Sequence, residues 1–155
     1  MSTTTVEYLD GDRFAIGIRG HMVTVDQPLA DGGEDTAPTP TELLVGSLAS
    51  CVASYARRYL ARHQLPTAGL SATADYTMGT RPARVADVRV DIQVPDGVPP
   101  ERLDALLAVA SHCTVHNTLT DRTGHGQTRR PHPDAGQTVI GRRDPETPAR
   151  RDQHR

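Results

Sequence analysis

The stretch from Thr39 to His63 constrains this chain most, because it predicts one long helix that is apolar on nearly every side. Thr39, Pro40 and Glu42 supply an N-cap hydroxyl, a proline at the first helical position and an acidic residue three positions after the cap. The letters that follow, LLVGSLASCVA, are almost all apolar or small, and a helix of this kind is normally buried. The sequence therefore predicts a central helix that other elements must cover, ending near His63.

The segments on either side of this helix predict β-strands. Three short extended runs separated by turn residues are typical of a meander, and they lie at 6–9, 13–19 and 21–26. Residues 70–78 and 85–94 follow the helix, and the second run alternates apolar with charged residues as a half-buried antiparallel strand does.

Both cysteines fall on predicted helices. Residues 99–101, Pro-Pro-Glu, open a second helix whose apolar stripe includes Leu106 and Ala110 and predicts Cys113 near its end. Cys51 lies in the apolar part of the first helix, so packing of the two helices would bring the thiols near each other. One interpretation is that both are small core residues, since free cysteine is among the most buried residue types. The other is a redox-active pair, and the pattern alone leaves both open.

Length and composition predict one domain at 1–123 and a different kind of segment at 124–155. A chain of 155 residues is usually one domain. From residue 122 onward there are 8 Arg and 4 acidic residues but few apolar side chains, too few to offset the entropy of ordering the chain. We therefore expect a largely disordered tail, in which only 137–141 predicts a short strand.

The composition also argues against several classes of partner. Aromatic residues make up only 3% of the chain and the net charge is -2, which disfavours base stacking and general electrostatic binding to nucleic acid. No apolar run approaches the ~18 residues of a membrane span, and the first residues carry no signal-peptide pattern. We expect a cytoplasmic protein without membrane or nucleic-acid partners. Two cysteines in that compartment do not suggest a structural disulfide framework.

A metal site is a weaker interpretation of the same region. His112, Cys113 and His116 together with Cys51 offer the nitrogen and sulfur ligands that zinc prefers. However, His112 and Cys113 are adjacent and would point about 100° apart on a helix. There is also no C-x-x-C pair, and the acidic Gly/Pro-rich loop at 27–40 is of a kind that is usually solvated. We expect no metal and no other cofactor.

Two stretches of this sequence resemble the OsmC/Ohr family of thiol-dependent hydroperoxide reductases. They are PTPTELLVGSLASCVASYARRYLARHQL at 38–65 and SHCTVHNTL at 111–119. The upstream RGH and acidic loop at 19–44 are similar to one branch of OsmC-like proteins, and the resemblance covers roughly residues 6–121. It implies an OsmC-like α+β fold, with an antiparallel sheet wrapped around two central helices in an intertwined homodimer.

The resemblance also implies roles for the two cysteines. Cys51 would be the peroxidatic cysteine, which attacks the hydroperoxide and becomes a sulfenic acid, and Cys113 the resolving cysteine, which condenses with it to a disulfide. An external dithiol would then restore both thiols. A buried thiol needs a nearby cation to ionise, and Arg19 in the RGH string is the candidate arginine. Its alternative role is that of a solvated charge at the end of a strand.

The sequence departs from the family pattern at two positions. In the peroxidase branches a Glu ten positions before the first cysteine holds the arginine, but here that position is Thr41 and the carboxylate is Glu42. One residue on a helix turns the side chain by about 100°, so Glu42 either acts in the site or only completes the capping box. The second departure is Thr114, where the family usually has Pro after the second cysteine.

Two functions follow as hypotheses. The first is a peroxidase that reduces organic hydroperoxides or H2O2 in oxidative-stress defence, which the Cys51 and Cys113 pair favours. The second is a dimer that keeps the fold as a small-molecule binding or thiol redox-sensing protein, which Thr41 favours.

Overall fold

The computed structural model describes residues 3–121, and in this part five strands and three helices form the expected mixed α+β fold with antiparallel pairing. None of the helices described there is long and apolar enough to cross a membrane. The predicted tail at 124–155, with its predicted strand at 137–141, lies outside the described residues. The domain boundary at 123 therefore stays a prediction.

The three N-terminal strands form one sheet in chain order: β1 (Thr4–Asp10), β2 (Arg13–Ile18) and β3 (His21–Val25). The two-residue turn between β2 and β3 places Arg19 at a φ of 58°, the positive value that tight hairpin turns require. Because directly paired residues share a face, the register collects the apolar side chains on one side of the sheet. This apolar face consists of Val6, Tyr8, Phe14, Ile16, Ile18, Val23 and Val25.

A buried carboxylate organises the loop after β3. The Asp26 side chain is fully buried and accepts hydrogen bonds from the N–H of Gln27 at 2.7 Å and from the N–H and hydroxyl of Thr36 at 3.0 and 2.7 Å. These bonds from Thr36, and then that from Gln27, hold the pKa of Asp26 below its ordinary value, although burial opposes them. Gly33 lies so close to the Gln27 carbonyl that a Cβ would collide with it. The loop is thus tied to the end of β3.

The long helix α1 (Pro40–Arg62) has the predicted ends. Thr39 Oγ1 accepts the Glu42 N–H at 3.1 Å, and Glu42 Oε2 accepts the Thr39 N–H at 2.7 Å, which completes the predicted capping box. Only one stripe of the helix is buried, however, and Leu44 remains 43% exposed. The described chain therefore covers α1 on one side and not all round.

Two further strands and two short helices cover that stripe. Strands β4 (Ser71–Thr80) and β5 (Ala83–Gln93) pair as a second sheet, and α2 (Leu103–Ala110) and α3 (Thr114–Thr120) pack on α1. The alternation predicted for β5 is confirmed, with apolar side chains half-buried and charged ones exposed. In the described chain the strands thus form two sheets and the helices number three, where the sequence predicted one sheet and two helices.

The prediction that Cys113 lies near the end of the second helix is wrong. Helix α2 ends at Ala110, and Cys113 adopts an extended conformation as the N-cap of α3. The Ser111 hydroxyl and His112 Nδ1 both hydrogen-bond the Ala108 carbonyl, at 3.0 and 2.7 Å. They satisfy the last turn of α2, so the chain stops that helix and begins another.

Candidate active site

Cys51 sits midway along α1 on the border of the core. It is half-buried and packs against a cluster of buried residues that includes Val52, Leu106 and Cys113. Its place follows from the helical period, because Leu48 lies one turn earlier on the same side and is buried. Cys51 therefore lies at the border of the core and is not enclosed by it.

Cys113 occupies a different environment. Its side chain has no exposed surface, and its Sγ accepts the backbone N–H of His116 at 3.4 Å as the cap of α3. Burial raises the pKa of the Cys113 thiol, the His116 N–H opposes this, and a hydrogen bond and the charge of Cys51 raise the pKa further. Cys51 packs against the core cluster to which Cys113 belongs. Both are free thiols.

A second contact joins the two cysteine-bearing segments. Tyr55, one turn after Cys51 on α1, has its hydroxyl 2.9 Å from Oγ1 of Thr114, the residue that follows Cys113. The Arg58 guanidinium lies over the Tyr55 ring, 5.4 Å from its centre. Sequence reasoning missed this contact. The available signals were the position of Tyr55 and the hydroxyl of Thr114 where the family usually has proline.

The other two predicted site residues, Arg19 and Glu42, lie in a turn of the N-terminal sheet and in the first turn of α1. Arg19 is exposed in the turn between β2 and β3, while α1 packs against α2, α3, β4 and β5. The Glu42 carboxylate accepts the Thr39 N–H and so caps α1. Its predicted capping role is confirmed. Catalytic roles for Arg19 and Glu42 stay predictions.

Two apolar cavities lie between α1, β5 and α3. The larger holds about 750 Å³ between the start of α1, β5 and α3, and Leu48, Val88 and His116 line it together with the charged Arg84. The smaller holds about 220 Å³ and shares Leu48, Val88 and His116. Leu48 lies one turn before Cys51, and His116 one turn after Cys113. The cavities thus lie along turns that neighbour the two cysteines in the chain, although neither cysteine lines them.

Metal ligation finds no support in the part of the chain that the structure describes. Residues 3–121 contain no group of three or more His, Cys, Asp or Glu side chains placed to hold an ion. The Nδ1 atom of His112 lies 2.7 Å from the carbonyl oxygen of Ala108.

Comparison with known proteins identifies the relatives of this architecture. A sequence model described as OsmC-like protein matches residues 32–124. No curated protein matches the sequence at a significant level.

Three solved structures share the fold. A Psychrobacter arcticus protein, described as osmotic-stress-induced and detoxification-responsive, is 25% identical, with a TM-score of 0.71 over 76% of this chain and 88% of that one. An organic hydroperoxide resistance protein OsmC from Legionella pneumophila is 19% identical, with a TM-score of 0.55 over 77% and 90%. An organic hydroperoxide resistance protein from Elizabethkingia anophelis is also 19% identical, with a TM-score of 0.59 over 76% and 87%.

The family match spans more than half of the chain and includes α1, both cysteines and both helices that pack on α1. The structural matches agree with it in fold. This chain belongs to the OsmC-like protein family.

Proposed function

We propose that this protein is a homodimeric thiol peroxidase that reduces organic hydroperoxides with Cys51 and Cys113 in oxidative-stress defence. One observation carries the proposal: the half-buried Cys51 on α1 packs against the core cluster that contains the fully buried Cys113 at the cap of α3, and both thiols are free. Hydroperoxide resistance is the property for which the Legionella and Elizabethkingia relatives are described.

The first step falls to Cys51, because its sulfur is the more accessible of the two. Its thiolate attacks the outer oxygen of the hydroperoxide: the S–O bond forms, the O–O bond breaks, and the alcohol leaves after taking up a proton. Cys51 becomes a sulfenic acid. Burial and the neighbouring Cys51 keep the pKa of Cys113 raised, so Cys113 remains protonated while Cys51 reacts.

The second step uses Cys113 as the resolving thiol. Its sulfur attacks the Cys51 sulfur: the S–S bond forms, the S–O bond breaks, and water leaves with the proton of the Cys113 thiol. An external dithiol then reduces the disulfide, and its two thiols become a disulfide in turn. A reducing compartment such as the cytoplasm supplies such dithiols and keeps both cysteines reduced between cycles.

The cavities favour organic hydroperoxides over H2O2. Apolar side chains dominate the lining near Leu48 and Val88, and burial of a substrate's apolar group there contributes about 25 cal/mol for each Å² removed from water. H2O2 has no such group. Arg84 also lines the larger cavity, and its positive charge could interact with the polar end of a substrate.

A second copy of the chain would complete the site. The apolar face of the N-terminal sheet is largely exposed, with Val6 at 61% and Tyr8 at 64%, and so is part of α1. Burying these surfaces against a partner is favourable. Such a dimer can also bring Arg19 of one copy to Cys51 of the other, where the guanidinium would favour the thiolate.

The test follows consumption of cumene hydroperoxide and of H2O2 by the purified protein with a dithiol. We expect faster loss of cumene hydroperoxide and an intrachain disulfide between Cys51 and Cys113. Cys51→Ser should abolish turnover, whereas Cys113→Ser should leave a Cys51 sulfenic acid that a dimedone-type probe labels. Arg19→Gly, which suits the positive φ of this turn, should slow the first step, and Arg19→Lys should retain part of the rate.

The second candidate function is a binding or thiol redox-sensing dimer. Thr41 in place of the family's glutamate favours it, because Glu42 is engaged in the helix cap. If mass spectrometry after peroxide treatment finds both cysteines still as free thiols, the peroxidase proposal fails and this alternative replaces it.

A further inference from the structure

The Tyr55 and Thr114 hydroxyls join the two segments that must come together for disulfide formation. They lie 2.9 Å apart, with Tyr55 one helical turn after Cys51 and Thr114 directly after Cys113. The bond is thus a link between the segments that does not involve either sulfur. Proline at 114 has no hydroxyl and could not make it.

Among the described residues, the Tyr55–Thr114 contact is the side-chain hydrogen bond that joins the start of α3 to α1. Helix α3 is only seven residues long, and its cap is the Cys113 sulfur itself, at 3.4 Å from the His116 nitrogen. Ser111 and His112, which precede it, are exposed and bond back to α2. The hydroxyl contact of Tyr55 does not involve the sulfur, so it can persist when Cys113 reacts, together with the packing of Cys113 and Val115 in the core.

We propose that Tyr55 and Thr114 form a positioning pair that holds Cys113 within reach of Cys51 and so favours their disulfide. This deepens the proposed function and rests on it for its biological role. Preorganised groups react with a higher effective concentration, because less freedom is lost when the bond forms. Arg58 stacked on the Tyr55 ring restricts that ring and keeps its hydroxyl aimed at Thr114.

The test is a thiol–disulfide equilibrium that uses no peroxide. The reduced protein reacts with oxidised dithiothreitol: the Cys51–Cys113 disulfide forms and dithiothreitol is reduced to its dithiol, so two electrons pass to the reagent. Tyr55→Phe keeps the ring and removes the hydroxyl. We expect it to lower the equilibrium constant by up to about tenfold, because the constant changes only by the amount by which one net hydrogen bond stabilises the disulfide form more than the dithiol form.

Matched variants separate positioning from general stability. Thr114→Val should match Tyr55→Phe, the double variant should lose little more than either, and Thr114→Ser should keep the wild-type constant. Tyr76→Phe, which removes a hydroxyl from an exposed tyrosine of β4, is the control and should change nothing. A merely structural bond would destabilise the reduced and oxidised proteins equally and leave the equilibrium constant unchanged.

The outcomes distinguish this inference from the proposed function. An unchanged constant in both Tyr55→Phe and Thr114→Val overturns the positioning pair, even if the protein consumes hydroperoxide. A lowered constant in a protein that consumes no hydroperoxide supports the pair and overturns only the peroxidase proposal. With active protein, Tyr55→Phe should also accumulate more dimedone-labelled Cys51 than Tyr76→Phe.

Discussion

The helical core and the N-terminal sheet use apolar side chains in opposite ways. In the core, Leu60, Leu106 and Ala56 have essentially no exposed surface, since α1 packs against α2, α3 and the second sheet. In the N-terminal sheet, Val6 and Tyr8 are more than half exposed, although their strands are well paired. The apolar side chains of the core are buried within one chain, whereas the sheet has regular hydrogen bonds but an exposed apolar face.

This difference is the reason for our proposal that a second copy of the chain covers the sheet. Hydrogen bonding between strands sets the register of the sheet, but burial of its apolar face supplies the larger stabilisation. Exposed apolar patches of this kind mark interaction surfaces. The sheet also carries Arg19, so the surface that lacks cover is the one that holds the predicted activating cation.

The largest effect should come from placing a charge on the apolar face of the sheet. We expect Val6→Arg to weaken the dimer at least about a hundredfold, because a partner would bury the unpaired guanidinium. Thr5→Arg, on the opposite face of the same strand, is the control and should remain dimeric. Light scattering at micromolar concentration measures the mass. A monomeric wild-type protein would contradict the proposal that a partner covers the sheet, because the apolar face would then be stable while exposed.

The next effect contrasts identical truncations in the two regions. Leu60→Ala in the core should lower the free energy of unfolding by about 2–5 kcal/mol, from lost burial and the cavity left behind. Leu9→Ala in the sheet, where the side chain is 50% exposed, should stay within about 0.5 kcal/mol. Urea unfolding measures both. Equal losses would mean that the sheet is as tightly packed as the core.

A smaller effect concerns the loop that joins the two regions. The pKa of Asp26 is lowered in the folded protein, so its contribution to stability is complete above the ordinary carboxyl value of about 3.9 and is lost as the pH falls through the lowered value. Asp26→Asn should therefore show a weaker loss of stability below about pH 4 than the wild type. Urea unfolding at pH 7 and pH 3 measures this.

Thr36→Val provides the matched comparison for Asp26. It removes the hydroxyl that donates to the carboxylate but keeps the backbone N–H, so its acid dependence should fall between those of the wild type and Asp26→Asn. An acid profile of Asp26→Asn identical to that of the wild type would contradict the assigned role of these hydrogen bonds.

The smallest effect concerns the cap of α1. Thr39→Ala should lower the free energy of unfolding by about 1 kcal/mol, because the Glu42 N–H loses its acceptor. Glu42→Gln keeps an oxygen for the Thr39 N–H and should change stability little. The same variant tests the other role of Glu42: a large loss of turnover with unchanged stability would assign its charge to the site.

The sequence anticipated the parts of this protein that local signals control. The capping box at Thr39 and Glu42 located the start of α1, and the alternation of β5 indicated which residues are half-buried. The α+β class followed from the resemblance to the family. The start of α1 and the alternation of β5 were predictable because hydrogen bonds and periodicities within a few residues decide them.

Prediction failed where local patterns compete. The apolar stripe through Leu106 and Ala110 continued at helical spacing to Cys113, yet side-chain bonds from Ser111 and His112 to a single carbonyl end α2 first. Periodicity records which face is apolar, but it does not record where such bonds stop a helix. The third helix, with a cysteine as its cap, was therefore missed.

The sequence alone predicted the long apolar helix, the antiparallel pairing of strands and the presence of two cysteines in separate segments. Only the tertiary structure decided that Cys51 stays accessible while Cys113 is buried beside it, and that Tyr55 meets Thr114. These contacts join residues far apart in the chain, and their geometry depends on how α1 and α3 pack. Packing is decided by the whole set of side chains at once, so no local pattern encodes it.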